Sequence, residues 1–343
     1  MKKILFTAPL LLLALLFSGC SKDDNGAEPF VSPFIEIGIN NPAYVICQGT
    51  NKGTFSVVDW ENNNVLNKTD SIGHLPQNGV TCKNRVFVAC YGNNCVSVFD
   101  YSLDFLKKIP LIAPQSVCTD GQHVYVVAND SVFLIDANNL QKVKGEPAGH
   151  TAYGCVYSDG YVYVNIGRTW EQNENGNTVV KFDAQTLEKV KEFVIGNNPY
   201  NQIAADKDGN VFTVCTTYPE QGEIYRIDSN DGVNLWARGS YIAVKGDTLL
   251  IVDAPQGIAT GYYAYSTKTH LMPINMPELQ NTSNLPMYPM FIAVNPANGH
   301  IYMGEYNYYD TNANGGSLYH LDGNAKLIKK LSVGAGPYAI VFP

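Results

Sequence analysis

The chain has 343 residues and is 45% hydrophobic, which is enough for a large packed core. Its formal net charge is −8 and it contains no run of five basic residues, so composition argues against nucleic acid as a partner. Length alone suggests two domains, but an internal repeat described below favours one.

The first residues have the features of a lipoprotein targeting segment. Met1-Lys2-Lys3 is basic, Ile4 to Phe17 is apolar, and Phe17-Ser18-Gly19-Cys20 resembles a lipobox. We therefore predict a signal peptide over residues 1–19 and lipidation of Cys20. An ordinary signal peptide with an incidental cysteine is the alternative. The apolar stretch is too short to be counted as a membrane-spanning helix.

A short polar and acidic segment, Ser21–Gly26, follows the lipobox. It predicts a flexible tether over residues 20–41, and it resembles the acidic export signal that sends lipoproteins of some Gram-negative groups to the cell surface. Together these features predict a protein on the outer membrane, lipid-anchored and surface-exposed. The folded domain is expected over residues 42–343.

A short β-rich motif that ends in an acidic or turn residue recurs seven times along the rest of the chain. The closing residues are Asp59, Asp100, Asp136, Asp183, Asp228, Ser266 and Asp322, so the steps between them are 41, 36, 47, 45, 38 and 56. Such a spacing with strand-type content alone predicts an all-β fold, a seven-bladed β-propeller. The repeated aspartates are expected to cap turns through bonds from side chain to backbone.

Each unit can be divided into four strands. In the second unit these are Val80–Cys82, Arg85–Cys90, a run ending at Asp100, and Phe105–Ile109. Asp-Gly and Asn-Gly pairs between strands are typical of tight hairpins.

The two ends of the repeat region complement one another. Ala43–Cys47 has the character of a second strand with no inner strand before it, and Gly336–Phe342 that of an inner strand with no blade after it. We therefore predict that the C-terminal strand joins the N-terminal blade, which closes the ring and removes exposed sheet edges.

The amino-acid sequence of the repeat units resembles that of a known family. Val124–Asn129, followed by the run to Asp136, is similar to the YVTN repeat of YncE-like seven-bladed propellers, and Phe193–Pro199 resembles that repeat's "I-x-V-G-x-x-P" turn. Among such propellers on lipoprotein anchors, the chain looks most like the BtuG group. This resemblance implies capture of cobalamin at the cell surface and delivery to a TonB-dependent transporter. It identifies no individual contact residue.

Seven cysteines follow Cys20, and most lie in strand-like runs. Small buried core residues are the favoured interpretation. An export route permits disulfides, and Cys90 and Cys95 are placed to pair across a hairpin, but an odd number argues against a full disulfide framework.

A ligand-binding site is predicted from the residues that begin each inner strand. Aligned through the preceding proline or small residue, they form a rim of tyrosine and glutamine around one end of the central channel, which suits a large ligand with amide or hydroxyl edges. Packing of tyrosine between blades is the alternative. The rim residues are Gln77, Gln115, Tyr153, Tyr200, Tyr241, Met290 and Tyr338. Long loops on the same face add Trp170, Tyr218 and Tyr306 to the predicted site.

Catalytic and metal-binding motifs are sparse, and no cofactor is expected. Asp310-Thr311-Asn312-Ala313-Asn314-Gly315 matches the first half of a calcium loop, with Asp310, Asn312 and Asn314 as ligands, but Leu321 stands where the bidentate glutamate belongs. A plain Asn/Gly turn is the alternative. His150 is a candidate metal ligand or acid–base group, with a solvated loop histidine as the favoured alternative. Glu305 is one of the carboxylates on the predicted binding face that are candidates for acid–base chemistry.

The sequence thus favours a binding protein over an enzyme. A propeller lactonase or lyase, and a structural or adhesive surface-layer protein, remain the alternatives.

Overall fold

The computed structural model describes residues 31–49, 52–167, 176–216, 221–306 and 315–343. The predicted signal peptide, Cys20 and most of the predicted tether lie outside these residues. Within them the protein is built almost entirely of antiparallel strands, and the helical segments are single 3₁₀ turns, none of which is long and apolar enough to cross a bilayer. They are Ile35–Ile37, Tyr91–Asn93, Pro255–Gly257, Pro277–Gln280 and Thr282–Asn284.

Twenty-seven described strands form seven separate sheets, the blades of a propeller, which confirms the predicted fold. Blade 1 contains β1 (Pro42–Cys47), β2 (Gly53–Asp59) and β3 (Val65–Gly73). Blade 2 contains β4 (Pro76–Cys82), β5 (Arg85–Cys90), β6 (Cys95–Asp100) and β7 (Phe105–Pro110). Blade 3 contains β8 (Pro114–Thr119), β9 (His123–Ala128), β10 (Ser131–Asp136) and β11 (Gln141–Pro147). Blade 4 contains β12 (Ala152–Ser158), β13 (Tyr161–Ile166), β14 (Thr178–Asp183) and β15 (Lys189–Val194).

The remaining strands follow in the same order. Blade 5 contains β16 (Pro199–Ala205), β17 (Val211–Cys215), β18 (Glu223–Ile227) and β19 (Val233–Arg238). Blade 6 contains β20 (Tyr241–Lys245), β21 (Thr248–Asp253) and β22 (Gly261–Ser266). Blade 7 contains β23 (Pro289–Val294), β24 (Ile301–Glu305), β25 (Gly315–Leu321) and β26 (Leu327–Gly334). The last strand, β27 (Pro337–Val341), is the innermost strand of blade 1.

The ring is closed by pairing between the two ends of the described domain, as predicted. β27 lies antiparallel to β1, with Val341 opposite Tyr44 and Ile340 opposite Val45. Blade 1 therefore takes three strands from the start of the domain and one from its end. This pairing covers the edge of β1 that would otherwise be exposed.

The hydrophobic core is divided into seven clusters, and each lies between two neighbouring blades. Phe87 of β5 faces blade 3, whereas its neighbours Val86 and Val88 face blade 1. Both sides of each blade are thus buried. This explains why the middle strands are continuous runs of Val, Ile and Tyr rather than alternations of apolar and polar residues.

The acidic residue that ends each third strand caps the following turn. Asp136 Oδ1 accepts hydrogen bonds from the backbone N–H groups of Asn138 (2.7 Å) and Asn139 (3.3 Å). Equivalent bonds reach Asp59, Asp100, Asp183, Asp228 and Asp322. In blade 6 the hydroxyl of Ser266 caps the turn instead, because it accepts hydrogen bonds from Lys268 N (3.1 Å) and Thr269 N (3.0 Å). The copy of the repeat that ends in serine therefore keeps the turn chemistry of the others.

Blade 6 differs from the predicted four-stranded unit because it has three described strands. The chain after β22 makes one isolated bridge, Tyr265 to Pro273, and then forms the two 3₁₀ turns at Pro277–Gln280 and Thr282–Asn284. Leu279 and Leu285 are buried in the cluster between blades 6 and 7. Much of the longest repeat step thus covers the outer side of this blade.

The compact unit begins at Ser32, ten residues before the predicted boundary. Phe34 and Ile39 are buried, and the Phe34 ring meets the Tyr44 ring edge-on at 6.4 Å. The Ser32 hydroxyl donates to Ile39 O at 2.6 Å. The last part of the predicted tether is therefore packed against blade 1.

Candidate functional site

A cavity of about 480 Å³ lies at the centre of the ring, where the innermost strands begin. We call this side the top face. Six of the seven inner strands contribute to the cavity lining, and loop residues from blade 6, such as Pro255 and Gln256, extend it. The volume is in the range of small-molecule binding sites.

Backbone irregularities shape the mouth of the cavity. In six blades the register between the inner strand and its neighbour shifts just after the first residue of the inner strand, for example between Pro114 and Ser116 of β8. Such bulges redirect side chains. Blade 6 lacks the shift, and Tyr241 pairs regularly with Val252.

The cavity lining is neutral but polar. None of the lining residues that the structure describes carries a charge, although the whole chain has a net charge of −8. Three tyrosines contribute phenolic hydroxyl groups, and Ser116, Thr216 and Ser240 contribute smaller ones. The amide side chains in the lining are Gln77, Asn78, Gln115, Asn201, Gln202 and Gln256.

The structure brings six of the seven predicted rim residues to this cavity: Gln77, Gln115, Tyr200, Tyr241, Met290 and Tyr338. Tyr153 is outside the lining. It is 4% exposed and its ring packs on that of Tyr200, with centroids 4.4 Å apart. Tyr153 therefore packs between blades, which was the alternative to lining the channel, and it supports the ring of Tyr200.

Burial raises the pKa of the rim tyrosines further above neutral pH. It raises the pKa of Tyr200 to about 12, and the nearby hydroxyls of Tyr338 and Tyr91 add to the shift. The pKa of Tyr241 is raised by burial as well. Burial also raises the pKa of Tyr338, against a lowering hydrogen bond from Asn201. These groups therefore present uncharged O–H donors to the cavity at neutral pH.

Four lining amides were missed by the sequence analysis: Asn78, Asn201 and Gln202 of the inner strands, and Gln256 of the blade 6 loop. Asn78 links inner strands, since its Nδ2 donates to Ser116 Oγ (2.9 Å) and its Oδ1 accepts from Val117 N (2.9 Å). The Oδ1 atom of Asn201 is buried and has no hydrogen-bond partner in the described part of the chain. Adjacent Asn and Gln inside an otherwise apolar inner strand were the available signal.

Several predicted site residues cannot be placed beside the cavity. Trp170, Tyr218 and the calcium-loop residues Asp310, Asn312 and Asn314 lie outside the described residues. Tyr306 follows β24 at the top face, is 43% exposed, and does not line the cavity. The role of every rim residue in ligand binding stays a prediction.

The two acid–base candidates lie in different surroundings. Glu305 Oε2 accepts from Lys330 Nζ (2.8 Å) and the Tyr319 hydroxyl (2.9 Å), while Glu305 Oε1 accepts from Met287 N (2.8 Å). Burial opposes ionisation of Glu305, but these donors lower its pKa on balance, so it acts as a structural anion. His150 is exposed. Among the described residues, no three His, Cys, Asp or Glu side chains are grouped so that they could hold a metal ion.

The sequence matches no protein-family model, and a comparison with curated proteins found no match. Solved structures resemble it in fold. A protein from Lactobacillus plantarum is 13% identical and superposes with a TM-score of 0.61 over 88% of this chain and 99% of its own. AztD from Citrobacter koseri is 15% identical, with a TM-score of 0.52 over 88% of this chain and 97% of its own. A functionally unknown protein from Desulfotomaculum acetoxidans is 14% identical, with a TM-score of 0.61 over 89% and 100%. At these identities the likeness extends to the fold alone.

Proposed function

We propose that the protein binds a large, uncharged, amide-bearing ligand at the top-face cavity, and that this ligand is a corrinoid such as cobalamin. The observation that carries the proposal is the neutral lining of amides and tyrosines in a chain whose net charge is −8. An anionic or cationic ligand would need a counter-charge that the described lining does not supply. A flat ring edged with amides would find both O–H donors and amide partners there.

The cavity is suited to one edge of such a ligand rather than to the whole of it. Its volume of about 480 Å³ leaves the rest of a corrinoid to lie across the top face, against the exposed ring of Tyr200. The buried Asn201 Oδ1 offers an unused acceptor to an amide N–H of the ligand. Satisfying a buried polar atom on binding favours a ligand that donates and disfavours one that cannot.

The lipobox and the acidic segment support a cellular role for this binding. A lipid anchor at Cys20 would hold the propeller at the outer-membrane surface, where captured ligand is passed to a TonB-dependent transporter. This part of the proposal depends on the targeting features and on the resemblance to the BtuG group.

Isothermal titration of the purified protein with cyanocobalamin tests the ligand. We expect saturable heat and a visible corrinoid spectrum that stays with the protein through a desalting column. The Tyr200→Ala variant should bind at least about tenfold more weakly, because it loses a large aromatic contact. Tyr263→Ala is a matched control, since both tyrosines are 37% exposed and Tyr263 is outside the cavity.

Two results would count against the proposal. Absence of both heat and retained colour would exclude a corrinoid. Equal weakening by the two tyrosine substitutions would show that the ligand binds elsewhere on the protein.

A further inference from the structure

Two thiols face one another at the end of a hairpin in blade 2. Cys90 is the last residue of β5, Cys95 is the first residue of β6, and the two are directly opposite in the antiparallel register. Four exposed residues, 91–94, form the turn between them. Directly opposed residues in antiparallel strands have Cα atoms about 4.5–5.5 Å apart, which is within the range that a disulfide spans.

The two sulfur atoms also share a polar partner. Cys90 Sγ lies 3.5 Å from Ser97 Oγ, and Cys95 Sγ lies 3.8 Å from the same oxygen. Both side chains are buried, and both thiols are free in this structure. The fold therefore holds two reduced cysteines in the same small space without bonding them.

The pKa values of the two thiols are shifted in opposite directions. A hydrogen bond from the Cys90 thiol lowers the pKa of Cys95, against the effect of burial, and Ser97 and Lys108 lower it further. The pKa of Cys90 is raised by the same hydrogen bond and by burial. One sulfur is thus favoured as the attacking thiolate and the other as the proton donor.

We propose that Cys90 and Cys95 are a redox-modification site that forms a reversible cross-strand disulfide. The Cys95 thiolate attacks the S–S bond of a disulfide oxidant, and one thiol of the oxidant leaves. The Cys90 thiol then loses its proton and attacks Cys95 Sγ in the mixed disulfide, which releases the second thiol. Two electrons and two protons pass to the oxidant, which becomes two thiols.

The disulfide would also affect the top face, because the turn of this hairpin lies beside the rim tyrosines. Its turn carries Tyr91, which is close enough to Tyr153 and Tyr200 to contribute to their raised pKa values. A disulfide at the base of the turn would restrict the conformations open to Tyr91. The inference does not depend on the identity of the ligand.

The tryptic peptide of residues 86–107 makes the test direct, because it contains Cys90 and Cys95 and no other cysteine. The purified protein is equilibrated in buffers of increasing oxidised-to-reduced glutathione, and remaining thiols are blocked with N-ethylmaleimide in urea. We expect this peptide to lose both maleimide groups and two hydrogens in oxidising buffer. The peptide that carries Cys215 should keep its single maleimide.

Two comparisons make the result decisive. The disulfide should form at a glutathione ratio at least about tenfold more reducing in the folded protein than in urea, because the strands hold the sulfurs together. Cys215→Ser should leave this midpoint unchanged, whereas Cys95→Ser should leave Cys90 reduced. Two maleimides at every ratio, linkage of either cysteine to another partner, or equal midpoints in folded and unfolded protein would overturn the proposal.

Discussion

Acidification should destabilise the fold through one buried histidine at the interface that closes the ring. His320 of β25 is 1% exposed, and its ring stacks on Tyr302 with centroids 4.6 Å apart. Its Nδ1 lies 2.7 Å from Asn63 Oδ1 in blade 1, and its Nε2 lies 2.8 Å from His300 Nδ1. Since an amide oxygen only accepts, His320 carries its proton on Nδ1, and its Nε2 accepts from His300.

Protonation of His320 would turn that acceptor into a donor facing another donor. Burial, with His300 adding to it, lowers the pKa of His320 from 6.5 to about 4, and nearby Asp322 opposes the shift only in part. Between these two values the unfolded chain binds a proton that the native protein does not. Stability therefore falls as pH drops from 6.5 towards 4, by about 3 kcal/mol for this group alone.

Urea unfolding at a series of pH values between 7 and 4 measures the effect. We expect the midpoint of the wild-type protein to fall by about 1 M urea across this window. His320→Gln keeps an amide donor and acceptor but cannot titrate, so its midpoint should change much less. His150→Gln, a change at an exposed histidine, should retain the wild-type slope. Equal slopes for wild type and His320→Gln would refute the reasoning.

Two further predictions concern ring closure and turn capping. Ending the chain after Gly336 removes β27 and exposes β1 as an edge strand, so we expect aggregation in size-exclusion chromatography or rapid cleavage in limited proteolysis. Removal of Pro343 alone is the control. A truncated chain that is monomeric and resistant to protease would contradict the closure argument. Ser266→Ala should lower the free energy of unfolding by about 1 kcal/mol because two backbone N–H groups lose their acceptor, whereas Ser266→Asp should restore the cap used in the other blades. Identical urea midpoints for the alanine variant and wild type would count against that role.

The fold was predictable because the same physical demands recur in every blade. Buried strands between two neighbours require continuous apolar runs, and the turn after the third strand requires an acceptor such as Asp136. The prolines that begin β4, β8, β16, β23 and β27 allowed the inner strands to be aligned. This alignment located most of the cavity rim.

The errors arise where local geometry departs from the repeat. The bulge after Pro199 turns Asn201 and Gln202 towards the channel, so a simple period of two residues does not identify them. The outer side of blade 6 is covered by 3₁₀ turns, which are too short to produce a recognisable hydrophobic period. Tyr153 has the same sequence position as Tyr200, and only packing distinguishes the supporting ring from the exposed one.

The way the ring closes also constrains the order in which the protein folds. Tyr44 and Val341 are partners in one sheet although nearly the whole domain separates them in sequence. Contacts of such high sequence separation form slowly, because the entropy of closing the loop precedes any gain from the pairing. Blade 1 therefore stays incomplete until residue 341 has been synthesised. A nascent chain therefore carries an exposed edge of β1 until its last strand has left the ribosome.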